Sequence, residues 1–81
     1  MSAEALTNRQ AEILKFLRGF LERMGGIPPT RAEICKFMGF RSPNAAEDAL
    51  RRLERKGYVE MVPSISRGIR LTVLGQKVEL K

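Results

Sequence analysis

The chain has no histidine, no tryptophan and a single cysteine, Cys35. One cysteine cannot close an internal disulfide. Without histidine the usual zinc sets, the Cys/His nucleophile pair and the Ser/His/Asp triad are all out of reach. Glycine is present, but "MGGIPP" has neither the spacing of a phosphate loop nor a following Lys-Ser/Thr. These absences exclude the common catalytic and cofactor-binding constellations, so an enzyme is not expected, and neither is a metal or cofactor. Apolar runs are only a few residues long, which predicts no transmembrane helix and no signal-peptide core, hence a cytosolic protein.

What remains is a chain of 81 residues, 43% apolar and 30% charged, the composition of one small globular domain with a modest core. Its net charge is +6 and its pI is near 10.3. Such a balance favours anionic partners, nucleic acid ahead of membrane surfaces or acidic proteins.

Caps and periodicity announce three helices. Thr7 with Gln10 fits a capping box, followed by an apolar stripe through Ile13, Leu14, Leu17, Phe20, Leu21 and Met24. "GGIPPT" then breaks the chain. Thr30 with Glu33 forms a second capping box for a short helix whose stripe is Ile34, Phe37 and Met38, and Gly39 suits its left-handed stop. Cys35 beside that stripe reads as a small buried hydrophobe, because no histidine is present to activate its thiol. Ser42 is expected to cap a third helix with Pro43 in its first turn, Ala46, Ala49, Leu50 and Leu53 on its inner face, and Gly57 at its end. A glycine-bearing turn, "GFRS", between a short and a longer helix is the helix-turn-helix pattern.

After Gly57 the period becomes two. "YVEMV" sets Val59 and Met61 against Tyr58, Glu60 and Val62, and "IRLTV" sets Ile69, Leu71 and Val73 against Arg70 and Thr72. The fold class is therefore α+β: a winged helix-turn-helix of three helices followed by a two-stranded antiparallel β-hairpin, filling residues 1–73. Gly68 is read as giving the hairpin bend a left-handed φ. Residues 74–81 read as a frayed end or linker.

On a helical wheel Ala49, Leu50 and Leu53 cluster within about 60° of Ala46, which turns Asn44, Glu47, Asp48, Arg51 and Arg55 outward and leaves Ala45 and Arg52 at the flank. Two carboxylates on the outward face of a basic protein have two readings. They stabilise the helix, through its dipole or through the i,i+4 pair of Glu47 with Arg51. Alternatively they accept from base amino groups, as Asn44 pairs with adenine and an alanine methyl meets thymine. The arginines likewise read either as a solvated face or as phosphate contacts.

"PPTRAEI", "GFRSPNAAE", "L.R.LERKG" and "SRGIR" together resemble the N-terminal DNA-binding domain of the LexA repressors of the bacterial SOS response, in order over residues 6 to 71. The resemblance implies a homodimer on palindromic double-stranded DNA operators that blocks transcription of DNA-damage genes, in the bacterial cytoplasm at the nucleoid. It carries the family's base-reading set onto Ser42, Asn44, Ala45, Glu47 and Asp48. Asp48 departs from the pattern, where glutamate is usual, so operator preference is expected to differ at one position. "MGGIPPT" is one glycine longer than the common form. LexA repressors also carry a C-terminal domain that dimerises and cleaves itself with a serine–lysine pair when RecA filaments bind. The chain is too short for it, which leaves an isolated N-terminal domain or a short relative that never had one; "LTVLGQKVELK" reads as a chain leaving its domain and favours the former. RecA would act only through that missing part.

The working expectation is that the third helix enters the major groove. Phosphates fall to Thr30 and Arg31 at the second helix, to Arg41 and Arg9, and to Arg51 and Arg55 on the outward face. The wing, Ser64 to Gly68 with Ser66 and with Arg67 at its tip, would reach the backbone or minor groove, assisted by Arg70. The rival expectation is a winged helix reused as a protein-interaction module, without specific DNA binding.

Overall fold

In the computed structural model, which describes residues 5–63, 65 and 67–80, α1 spans Asn8–Arg23, α2 Arg31–Met38 and α3 Pro43–Arg55. Strands β1 (Val59–Met61) and β2 (Ile69–Leu71) and a short α4 (Val73–Lys77) follow. The winged helix-turn-helix is thus present, with one helix more than expected. Both capping boxes form: Thr7 and Thr30 each accept from the amide three residues on, and Gln10 and Glu33 accept in return from the cap amides. Gly39 ends α2 at φ 73° and Gly57 follows α3 at φ 88°, left-handed positions that a β-carbon would disfavour.

The core joins α1 to α3 and the hairpin. Ile13, Leu14, Leu17, Ile34, Ala46, Leu50, Leu53, Val59 and Ile69 are all buried. Removing a leucine's apolar area from water contributes roughly 1.5–3 kcal/mol, so α3 is fixed chiefly by its inner stripe. The strands pair antiparallel in the register Val59↔Leu71, Glu60↔Arg70, Met61↔Ile69. No helix among the described residues is long and apolar enough to cross a membrane.

Several expectations need correction. Gly68 does not have a left-handed φ. It is required for a different reason: a β-carbon there would lie 2.3 Å from the Val62 carbonyl oxygen, because the Val62 amide donates to the Gly68 carbonyl at 2.7 Å as the hairpin closes. Ser42 occupies the N-cap position in extended conformation, yet its side chain makes no cap hydrogen bond. Tyr58 sits just before the strand and is 2% exposed, so the alternation begins one residue later than expected. Phe37 is 56% exposed and stacks on Phe16 at 4.2 Å between ring centroids, and Met24 at the end of α1 is half exposed. The α2 stripe is therefore narrower than its sequence suggests.

The segment read as a frayed end turns back onto the domain. Thr72 caps α4 by accepting from Gly75, and its hydroxyl donates to the Gly57 carbonyl at 2.6 Å. Arg18 of α1 donates to the carbonyls of Gly75 (3.0 Å) and Val78 (2.5 Å). Gly75 passes so close to Tyr58 that a β-carbon would meet its carbonyl oxygen at 2.0 Å. Short caps and backbone-directed bonds of this kind are hard to see in a sequence whose apolar pattern has already ended.

Candidate nucleic-acid interface

The inner stripe of α3 decides what the other side presents. With Ala46, Leu50 and Leu53 fully buried, Ser42, Asn44, Asp48, Arg51 and Arg55 are exposed, while Ala45 and Glu47 are half-buried at the two edges. One edge faces α1: Arg9, exposed, lies over the Phe40 ring at 5.4 Å, and a cleft there is lined by Arg9, Phe40, Ala45, Asp48 and Arg52. The other edge faces α2 and the wing base, where Arg31, Glu47, Arg51, Glu54, Met61 and Pro63 line a shallow cleft. Arg31, Glu47 and Arg51 are thereby brought together from two helices.

Both carboxylates of the outward face are engaged. Glu47 accepts on one oxygen from Arg31 and on the other from Arg51 at 3.2 Å, and Asp48 pairs with Arg52 at 3.4 Å. The dipole reading loses ground, since no acidic residue lies in the first turn of α3 and the effect fades beyond that turn. The i,i+4 reading is realised twice. Exposed pairs of this sort are worth about 0–1 kcal/mol, so their stabilising role is slight. Their larger effect is on the field: five arginines, Arg31, Arg51, Arg52, Arg67 and Arg70, each have a carboxylate within 4.0 Å. Among the described residues Arg41 and Arg55, both exposed, make no ion pair.

The wing differs from expectation. Ser64 and Ser66 lie outside the described residues. Arg67 does not project from the tip; its guanidinium turns back to donate to the Pro28 carbonyl (2.8 Å) and to Glu33 (3.0 Å). Arg70 lies outward on β2, opposite Glu60 at 3.8 Å. Glu33 was not among the sequence candidates beyond its capping role. Its carboxyl is held below the ordinary glutamate range, first by the Thr30 amide and further by the Arg67 charge. Arg52 was placed only at the flank, although its spacing from Asp48 already carried the signal. Cys35 is half-buried, its thiol 3.3 Å from the Ser42 carbonyl.

The family model described as the LexA DNA binding domain matches residues 3–68. LexA repressor 1 of Pseudomonas putida is 58% identical over 74 residues, 91% of this chain and 36% of the relative. The LexA repressor of Pseudomonas aeruginosa is 59% identical over 68 residues, 84% of this chain and 33% of its own length. LexA repressor 1 of Pseudomonas syringae pv. tomato is 61% identical over 66 residues, 82% of this chain and 32% of its own length. The chain spans about a third of the length of these curated relatives.

Proposed function

The chain belongs to the LexA DNA-binding domain family, and we propose that it binds a palindromic duplex operator sequence-specifically, with α3 in the major groove, as the DNA-binding part of a bacterial SOS repressor. One observation carries the reading. The start of α3 offers Ser42 and Asn44 to solvent while Ala46, Leu50 and Leu53 hold the helix rigidly from behind. In helix-turn-helix proteins that end of the second helix meets base edges.

In this reading Asn44 pairs with an adenine, Ser42 and Ala45 contact neighbouring base edges, and Glu47 and Asp48 accept from base amino groups. A carboxylate has about four lone-pair sites, so Glu47 retains acceptor capacity beyond its two arginines. Thr30, Arg31, Arg41, Arg51, Arg55 and Arg9 meet phosphates, with Arg70 beside the wing. Two copies bind the two half-sites as a homodimer on DNA. Unlinked copies lack the effective concentration that a full dimer gains, so affinity is modest, and contact between the two bound copies makes occupancy rise steeply with protein concentration.

The test compares a palindromic duplex with a scrambled one at two salt concentrations. Asn44→Ala is expected to cost about 1–3 kcal/mol on the palindrome and little on the scrambled duplex. Equal losses on both would remove Asn44 from base reading. Absence of binding to either duplex at low salt would favour a protein-interaction module instead.

A further inference from the structure

We infer that Glu33 is a positioning residue for DNA binding: fixed within the capping box of α2, its carboxylate anchors Arg67 and so holds the wing against the start of the helix-turn-helix. The inference rests on the DNA-binding reading above. Glu33 is placed with little freedom, since its side chain accepts from the Thr30 amide at 2.7 Å while its own amide donates to the Thr30 hydroxyl at 3.1 Å. The same oxygen, Oε1, then accepts from Arg67 at 3.0 Å, and the other link of Arg67 goes to the Pro28 carbonyl two residues before the cap. Arg67 thus bridges the cap and the loop leading into it.

The wing needs such a tie. Its ladder is two strands of three residues each, and a two-stranded hairpin alone is marginal in water. Ile65 near its tip is 54% exposed and supplies no buried anchor. The groove beneath the wing is lined by Pro28, Val62, Ile65, Arg67 and Gly68, so the latch sits where wing and loop meet. Both bonds come from Nη1, so Nε and Nη2 keep donors of their own, and what the two bonds fix is where the Arg67 side chain lies. Through that side chain they set the orientation of the wing.

The two roles for Arg67 make opposite predictions for Glu33→Gln. If Arg67 grips phosphate, removing a competing carboxylate from a DNA-facing surface frees it and tightens binding. If Glu33 is an anchor, the variant binds more weakly although it is one charge more positive. Glutamine preserves the cap, as Gln10 does in the box at Thr7, so the fold is retained. Operator affinity of the 81-residue chain is measured by titration for the wild type, E33Q, R67Q and the double variant. The expectation is a loss of about three- to fivefold for E33Q, the ceiling for an exposed ion pair, with the double variant no weaker than R67Q. Equal or tighter binding by E33Q, or losses that simply multiply, would overturn the inference.

Amide hydrogen exchange without DNA gives an independent readout. Val62 and Gly68 should exchange faster in E33Q and in R67Q alike, with the amides of α1 and α3 unchanged; unaltered wing exchange overturns the latch. If the wild type binds no duplex, the functional reading fails, and exchange alone still decides whether Glu33 holds the wing.

Discussion

Ala46, Leu50 and Leu53 pin α3 to the core with no exposed surface, whereas the wing carries Ile65 largely in solvent and is tied to α2 through Arg67, Pro28 and Glu33. The two regions flank the same cleft, with Glu47 and Arg51 on one side and Met61 and Pro63 on the other. Burial is non-directional and insensitive to salt, so it fixes where a helix lies without caring which polar residues it shows. A polar tie is directional and weak, and one charge can alter it. A domain that must present a chosen set of side chains at one place and an adjustable arm at another has reason to use both.

The largest effect that would break this contrast belongs to the buried side. Leu50→Ala should destabilise the chain by about 2–5 kcal/mol in thermal or urea unfolding, through lost burial and the cavity left behind. A loss below about 1 kcal/mol would mean that α3 is held by something other than its inner stripe. Gly68→Ala tests the wing's own closure and should cost about 1–3 kcal/mol, because a β-carbon 2.3 Å from the Val62 oxygen forces the hairpin apart. Circular dichroism melts compared with Gly75→Ala, where the Tyr58 oxygen is nearer still, would rank the two close approaches. The smallest effect on stability is expected for Glu47→Gln, within about 1 kcal/mol. Its signature lies in binding: with Arg31 and Arg51 released, the salt dependence on a random duplex should steepen by about one unit. An unchanged slope of log K against log salt would show that freeing the two arginines from Glu47 adds no phosphate contact.

Much of the scaffold was legible beforehand, and for a specific reason. Thr7 with Gln10, Thr30 with Glu33, Pro43 at the start of α3 and Gly39 at the end of α2 act over three or four residues, and each did what its chemistry predicts. The outward face of α3 followed from the same local period. Misreadings arose where a role depends on a distant neighbour. Gly68 looked like a φ-permissive glycine, but the Val62 carbonyl makes it a steric one. Phe37 looked like a core residue until α2 settled with that side stacked on Phe16 and open to water. The last residues looked loose because their ties come from Arg18, far back in α1.

The amino-acid sequence by itself determined the first three helices, their stops, the hairpin and the polarity of α3, since all of these are set by interactions within about one turn or one strand. Only the tertiary structure decided which long side chains meet distant partners. Arg31 finds Glu47 across 16 positions, Arg67 finds Glu33 across 34, Lys56 finds Gln10 across 46 and Arg18 finds Gly75 across 57. Long flexible side chains carry no periodic signal of their partners; the partner is chosen only once the buried stripes have brought the backbones together.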